Sequence, residues 1–118
     1  MNKESNKFIK LRKKRNEIID IFNSREGIYM LNDAINNNID NKYLKFIEIG
    51  KSTIYFKANK KFRERHEESP TEFHKDYLTN FMSKILNVLD IKITPHDLDI
   101  IMELYVEDNK ITIEFPIG

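Results

Sequence analysis

SPTEFHKDYLTNFMSKILNVLD, residues 69 to 90, is the longest stretch of the chain whose apolar residues keep helical period, and the other elements are organised around it. Ser69 reads as an N-cap, Pro70 is pre-shaped for the first helical position, and Glu72 is placed to return a hydrogen bond to the cap. Phe73, Tyr77, Phe81, Ile85 and Leu89 then follow at i, i+4, with Leu78, Met82 and Leu86 in a second row beside them. At ~100° per residue the two rows cover about half the helix circumference. A stripe that wide predicts a central helix lying on a sheet.

Working outward toward the C-terminus, Thr94-Pro95-His96-Asp97 repeats the cap-then-proline signal and opens a helix of a turn or two, through Asp99 or Ile100. Beyond it, Asp108-Asn109 reads as a two-residue hairpin turn that pairs Glu107 with Lys110, Val106 with Ile111, Tyr105 with Thr112, Leu104 with Ile113 and Glu103 with Glu114. That register puts Met102, Leu104, Val106, Ile111, Ile113 and Phe115 on one face. A slip of one residue would expose them all, so the register is strongly specified. A type I′ turn here would favour glycine at position 109.

Toward the N-terminus, residues 42 to 58 change period. The β-branched and aromatic runs 43–49 and 53–58, broken at Gly50-Lys51-Ser52, predict a hairpin with Leu44, Phe46, Ile54, Phe56 and Ala58 facing the core. Tyr43, Lys45, Ile47, Ile49, Tyr55 and Lys57 fall on the other face. Residues 59 to 68 are nearly all charged and read as a loop or a mobile short helix. Residues 6 to 23 predict a first helix, with Phe8, Leu11, Ile18, Ile19 and Phe22 on a narrow stripe. Asn23 to Gly27 breaks it, Ser24 is a cap for a second helix carrying Ile28, Leu31 and Ile35, and Asn36-Asn37-Asn38 ends that one. The reading is a single α+β domain over 1–118, with 1–7 as a disordered end. It comprises two helices, a hairpin, the central helix, a short helix and a last hairpin, in an antiparallel sheet of about four strands with helices on one face.

Composition narrows the function classes. The 118 residues contain no cysteine, which removes disulfides and thiolate metal sites and fits a reducing, cytoplasmic setting. No apolar run approaches the ~18 residues of a membrane span. Eighteen isoleucines, fifteen lysines and thirteen asparagines against three glycines and two alanines point to AT-rich coding, as in a low-GC bacterium or its phage. Net charge is +1, yet residues 1–66 hold sixteen Lys or Arg against eight Asp or Glu, and residues 67–118 hold four against eleven. The chain is bipolar, +8 and −7.

Two segments carry the positive charge. Lys10, Arg12, Lys13, Lys14 and Arg15 lie in the first helix, where cations near an N-terminus oppose the helix dipole. Lys57, Lys60, Lys61, Arg63 and Arg65 surround Phe62, with Tyr55 just before. The first reading is a small non-enzymatic binding protein of inhibitor, adaptor or immunity type. It occupies a macromolecular partner, most readily a protein, through these charges, with Phe62 or Tyr55 as apolar anchor. The alternative is a nucleic-acid-binding regulator in which the two segments contact phosphates and Tyr43 and Tyr55 stack bases; against it, the pI of 7.9 lies below the ~9 of dedicated nucleic-acid domains. A metal-dependent nuclease built on Asp40-Asn41-Lys42 or Asp108-Asn109-Lys110 ranks third. His66, His74 and His96 have no metal-ligand spacing, and no phosphate loop or nucleophile elbow occurs, so no catalytic residue, metal or cofactor is assigned. A homodimer is compatible with the same charge pattern.

Overall fold

The central helix holds the sheet through aromatic contacts. A computed structural model describes residues 3–37, 43–68 and 70–116. The elements are α1 (Lys3–Phe22), α2 (Arg25–Asn37), β1 (Leu44–Ile49), β2 (Thr53–Ala58), α3 (Lys60–Glu68), α4 (Pro70–Val88), α5 (Pro95–Ile101), β3 (Glu103–Glu107) and β4 (Lys110–Glu114). The four strands form one antiparallel sheet in the order β1-β2-β4-β3, so the two hairpins join edge to edge through β2 and β4. Phe81 of α4 meets Phe56 of β2 edge-on at 5.5 Å between ring centroids, and Phe56 meets Phe46 of β1 at 6.2 Å. Leu78, Met82, Ile85 and Leu86 are fully buried, as both apolar rows of the helix require.

The helix ends where its backbone turns left-handed. Asp90 has φ 64°, Ile91 N–H donates to the Leu86 carbonyl at 2.9 Å, and Asp90 N–H donates to the Asn87 carbonyl at 3.1 Å. This is the Schellman pattern, with Ile91 buried beside Leu86. Ser83 ties the following link down: its hydroxyl donates to the Ile93 carbonyl at 2.7 Å from a buried position. Thr94 then caps α5, its Oγ1 accepting from Asp97 N–H at 3.2 Å.

The C-terminal hairpin has the register that the sequence specifies, from Glu103 opposite Glu114 to Glu107 opposite Lys110. Its turn differs from the type I′ expectation. The positive φ, 50°, belongs to Asp108 and not to Asn109, so glycine is favoured one position earlier than a type I′ turn would have it. In the first hairpin a bulge at Ile47 shifts the pairing, so that Phe46 faces Phe56 but Ile49 faces Ile54. Ile49 therefore returns to the core side and Ile47 is half exposed, whereas simple alternation put both outside.

Of the two readings of residues 59–68, loop or short helix, the helix is the one found, and the expectation at Gly27 changes. Residues 60–68 are a helix: Asn59 caps it, its Oδ1 accepting from Phe62 N–H at 3.0 Å. Gly27 is inside α2 rather than in a break. Ser24 caps that helix, accepting from Gly27 N–H at 2.8 Å, and a Cβ on Gly27 would sit 2.4 Å from the Ile21 carbonyl oxygen of α1. Only glycine lets the two helices approach so closely. α1 itself begins at Lys3, earlier than expected. The Ser69 cap and the Asp40-Asn41-Lys42 triplet lie outside the described residues, as do the side chains of His66, Glu72, Phe73 and His74.

Gly27→Ala should destabilise by about 1–3 kcal/mol, the usual range for overpacking, read from denaturant midpoints. Asp90→Gly should raise stability by about 0.5–1 kcal/mol, because glycine adopts the left-handed cap without a Cβ penalty. A midpoint for Asp90→Gly at or below the parent's would mean that the Asp90 side chain has a compensating role at the cap.

Candidate functional site

Strand alternation decides what the sheet presents away from the helices. Inward go Ile54, Phe56, Ile111 and Ile113, all fully buried. Outward go three rows that the registers line up across the strands. Lys45, Lys57, Lys110 and Glu107 form the first row, across β1, β2, β4 and β3. Glu48, Tyr55, Thr112 and Tyr105 form the second. Thr53, Glu114 and Glu103 form the third. None of these eleven side chains is buried.

The pattern is electrically divided. Three lysines stand side by side on neighbouring strands, ~4.8 Å apart in the hydrogen-bonding direction. Two glutamates stand side by side at the opposite end. Like charges directly opposite on a sheet face are destabilising, so neither row is there for the sheet's own stability. Part of the repulsion is relieved locally. The Lys110 ammonium lies 5.2 Å from the Tyr55 ring centroid, a cation–π distance. The Tyr105 hydroxyl donates to Glu103 at 2.5 Å, and that bond to a neighbouring carboxylate holds the phenol above its ordinary pKa. Tyr105 is 47% exposed and has only the small Thr112 between it and Tyr55, leaving a shallow hollow bordered by Glu107 and Lys110.

The residues singled out in the sequence divide into two places. Lys57 sits at the end of the sheet that carries the 108–109 turn, and α3, with exposed Lys60, Lys61, Arg63 and Arg65, starts three residues later. Lys45 and Lys110 join that cluster. Nothing in local sequence marked them; strand register is the only signal that could have. Lys10, Arg12, Lys13, Lys14 and Arg15 belong to α1, whose end packs Phe22 on Phe115 at 5.6 Å, and whose Arg12 and Arg15 share a groove with Glu103. That is the other end of the sheet, four residues away along β3 or ~13 Å. The basic helix and the basic 57–65 segment thus do not form one continuous surface. Of these cations, Lys14 approaches Glu17 at 3.9 Å and Lys60 approaches Glu64 at 4.0 Å, both on exposed helix faces where such pairs contribute little.

Two aromatic assignments are corrected. Phe62 is fully buried, packed edge-on against Tyr43 and Tyr77 at 6.2 Å each, so it anchors α3 to the core and is not available to a partner. Tyr43 packs on Tyr77 at 5.1 Å as part of the same cluster, against the core and not on the outer face where strand alternation put it. Asp108-Asn109-Lys110 is the hairpin turn and its flank. Among the described residues no group of three or more His, Asp or Glu is arranged to hold a metal ion, and no helix is long and apolar enough to cross a membrane.

No protein-family model matches the chain, and no curated protein and no solved structure matches it.

Lys57→Thr removes the middle lysine of its row and places a good strand former there. It should stabilise the fold by about 0.2–1 kcal/mol at low salt, with the gain shrinking as salt screens the remaining pair. Chemical denaturation at two ionic strengths measures both. A destabilised Lys57→Thr would mean that the lysine row supports the sheet.

Proposed function

We propose that this chain is a small non-enzymatic binding protein of the inhibitor or adaptor type, and that it engages a partner protein with the outer face of its sheet. The observation that carries the reading is the arrangement of that face, a lysine row, a tyrosine row and a glutamate row on adjacent register lines. An arrangement unfavourable to the free protein is relieved when oppositely charged groups are brought against it. Half-exposed Tyr105 and partly exposed Tyr55 supply large, rigid contact area at the centre, where binding energy concentrates. The flanking charges then set register and accelerate encounter more than they add affinity.

The mixed sign of the face favours a protein over a polyanion. Glu48, Glu103, Glu107 and Glu114 would repel a phosphate backbone, whereas a protein surface can present both signs. A cytoplasmic site of action rests on the cysteine-free sequence alone. Nucleic acid is the second reading, favoured by one feature: exposed Lys60 and Lys61 of α3 follow within four residues of Lys57, the middle lysine of the row, and so add phosphate-binding charge at that end of the sheet.

A photo-crosslinking amino acid placed at Tyr105 should, in cells of the source organism, yield a discrete protease-sensitive adduct. Lys57→Glu with Lys110→Glu should abolish that adduct while leaving the circular dichroism spectrum intact. A nuclease-sensitive adduct would select the second reading, and so would binding of labelled single strands whose affinity falls with salt by ~0.7 per phosphate neutralised in log–log terms. An adduct unchanged by the two reversals would sink the assignment of this face.

A further inference from the structure

A second concentration of charge surrounds one groove, whose acidic wall is the Glu103 end of the third sheet row. α1 forms one wall with Phe8, Arg12 and Arg15, and the α5–β3 junction forms the other with Ile100, Met102 and Glu103, enclosing about 380 Å³. Phe8 and Arg12 are i, i+4 and Arg15 follows at i+7, so one helical stripe supplies the whole basic wall. On the opposite wall Glu103 stands beside Glu114, its register partner on β4. The apolar residues at the rim are not covered: Phe8 is 60% exposed and Ile100 is 47% exposed. Among the described residues, neither Arg12 nor Glu103 has an oppositely charged side chain within ion-pair distance.

We infer that this groove is the self-complementary interface of a two-fold homodimer. A surface with one basic and one acidic wall matches itself when a two-fold axis runs along the groove. That operation lays each arginine wall on the partner's glutamate wall and each Phe8 against the partner's Ile100. Such an interface is isologous, with every contact made twice. Phe8 and Ile100 provide the apolar centre, and the arginine–glutamate contacts at the rim fix orientation. Because exposed ion pairs are weak and screened, the dimer is reversible and loosens with salt. The groove is at the opposite end of the sheet from Lys57 and Lys110, so dimerisation leaves the lysine row open.

Sedimentation velocity of the full chain at ~50 mM salt, where screening is weak, tests this. The parent should show a monomer–dimer equilibrium, and Phe8→Ala should raise the dissociation constant tenfold or more. Arg12→Glu and Glu103→Arg should each be monomeric alone, because each sets like charges across the axis at both contacts. Mixed in equal amounts, these two variants should form a heterodimer, since both contacts are then complementary. The double variant should recover the homodimer. Circular dichroism establishes that each variant is folded, which is expected because both positions are exposed. Lys57→Glu should leave the equilibrium unchanged. A parent that stays monomeric to hundreds of micromolar, or a dimer unmoved by Phe8→Ala and by the single reversals, overturns the proposal. So does a mixture of the two reversed variants that remains monomeric, because it removes the intermolecular pairing on which the two-fold rests.

Discussion

Phe81 of α4 meets Phe56 of β2 edge-on at 5.5 Å, and this contact seats the central helix on the sheet. Around it runs a continuous aromatic path. It passes from Tyr43 and Phe62 through Tyr77, stacked on Phe81 at 6.0 Å, and across Phe56 to Phe46. One end of the path pins α3, the middle is the face of α4, and the other end lies in the sheet. Edge-to-face geometry adds a directional preference to the area buried. The arrangement therefore sets the angle at which α4 lies across β2 as well as its distance.

With α4 seated, the position of the other elements follows from short local devices. The left-handed residue Asp90 reverses the chain, the Ser83 bond to Ile93 holds the link against the helix, and Thr94 starts α5. α5 leads directly into β3, which places Ile100 and Glu103 opposite α1. At the other end, Gly27 lets α1 and α2 close on each other, and Asn23 donates to the Lys51 carbonyl at 2.8 Å, fastening the helical hairpin to the β1–β2 turn. Nearly all of the buried side chains are apolar. The charges are consequently left on the surface, and the outer sheet face, α3 and the groove beside α1 each gather several of them.

The distribution of charge has a physical meaning that its total conceals. A net charge of +1 describes a balanced protein, but the strand registers collect lysines in one row and glutamates in another, and α1 brings arginines across from Glu103. Like charges brought together raise the free energy of the folded chain, and the apolar core is large enough to tolerate it. Buried Thr79 shows the contrasting treatment of a polar group inside: its hydroxyl is satisfied by the Lys75 carbonyl at 2.8 Å.

Much that has a local cause was legible in the residues alone. Helical period and cap-then-proline signals placed α4 and α5, and strand alternation with the Asp108-Asn109 turn set the register of β3 against β4. Those signals lie within a few residues of what they control. Three other features come from contacts between distant parts of the chain or from irregular pairing. Phe62, alone among charges, has no periodicity to mark it as core; it is buried because Tyr43 and Tyr77, from distant parts of the chain, form the site it fills. Ile49 is brought inward by a bulge that sequence alternation does not signal. Above all, the pairing of β2 with β4 joins residues more than fifty positions apart, and that long-range pairing is what makes Lys57 and Lys110 neighbours. A row of like charges across a sheet is a property of register between strands, and no stretch of the chain contains it.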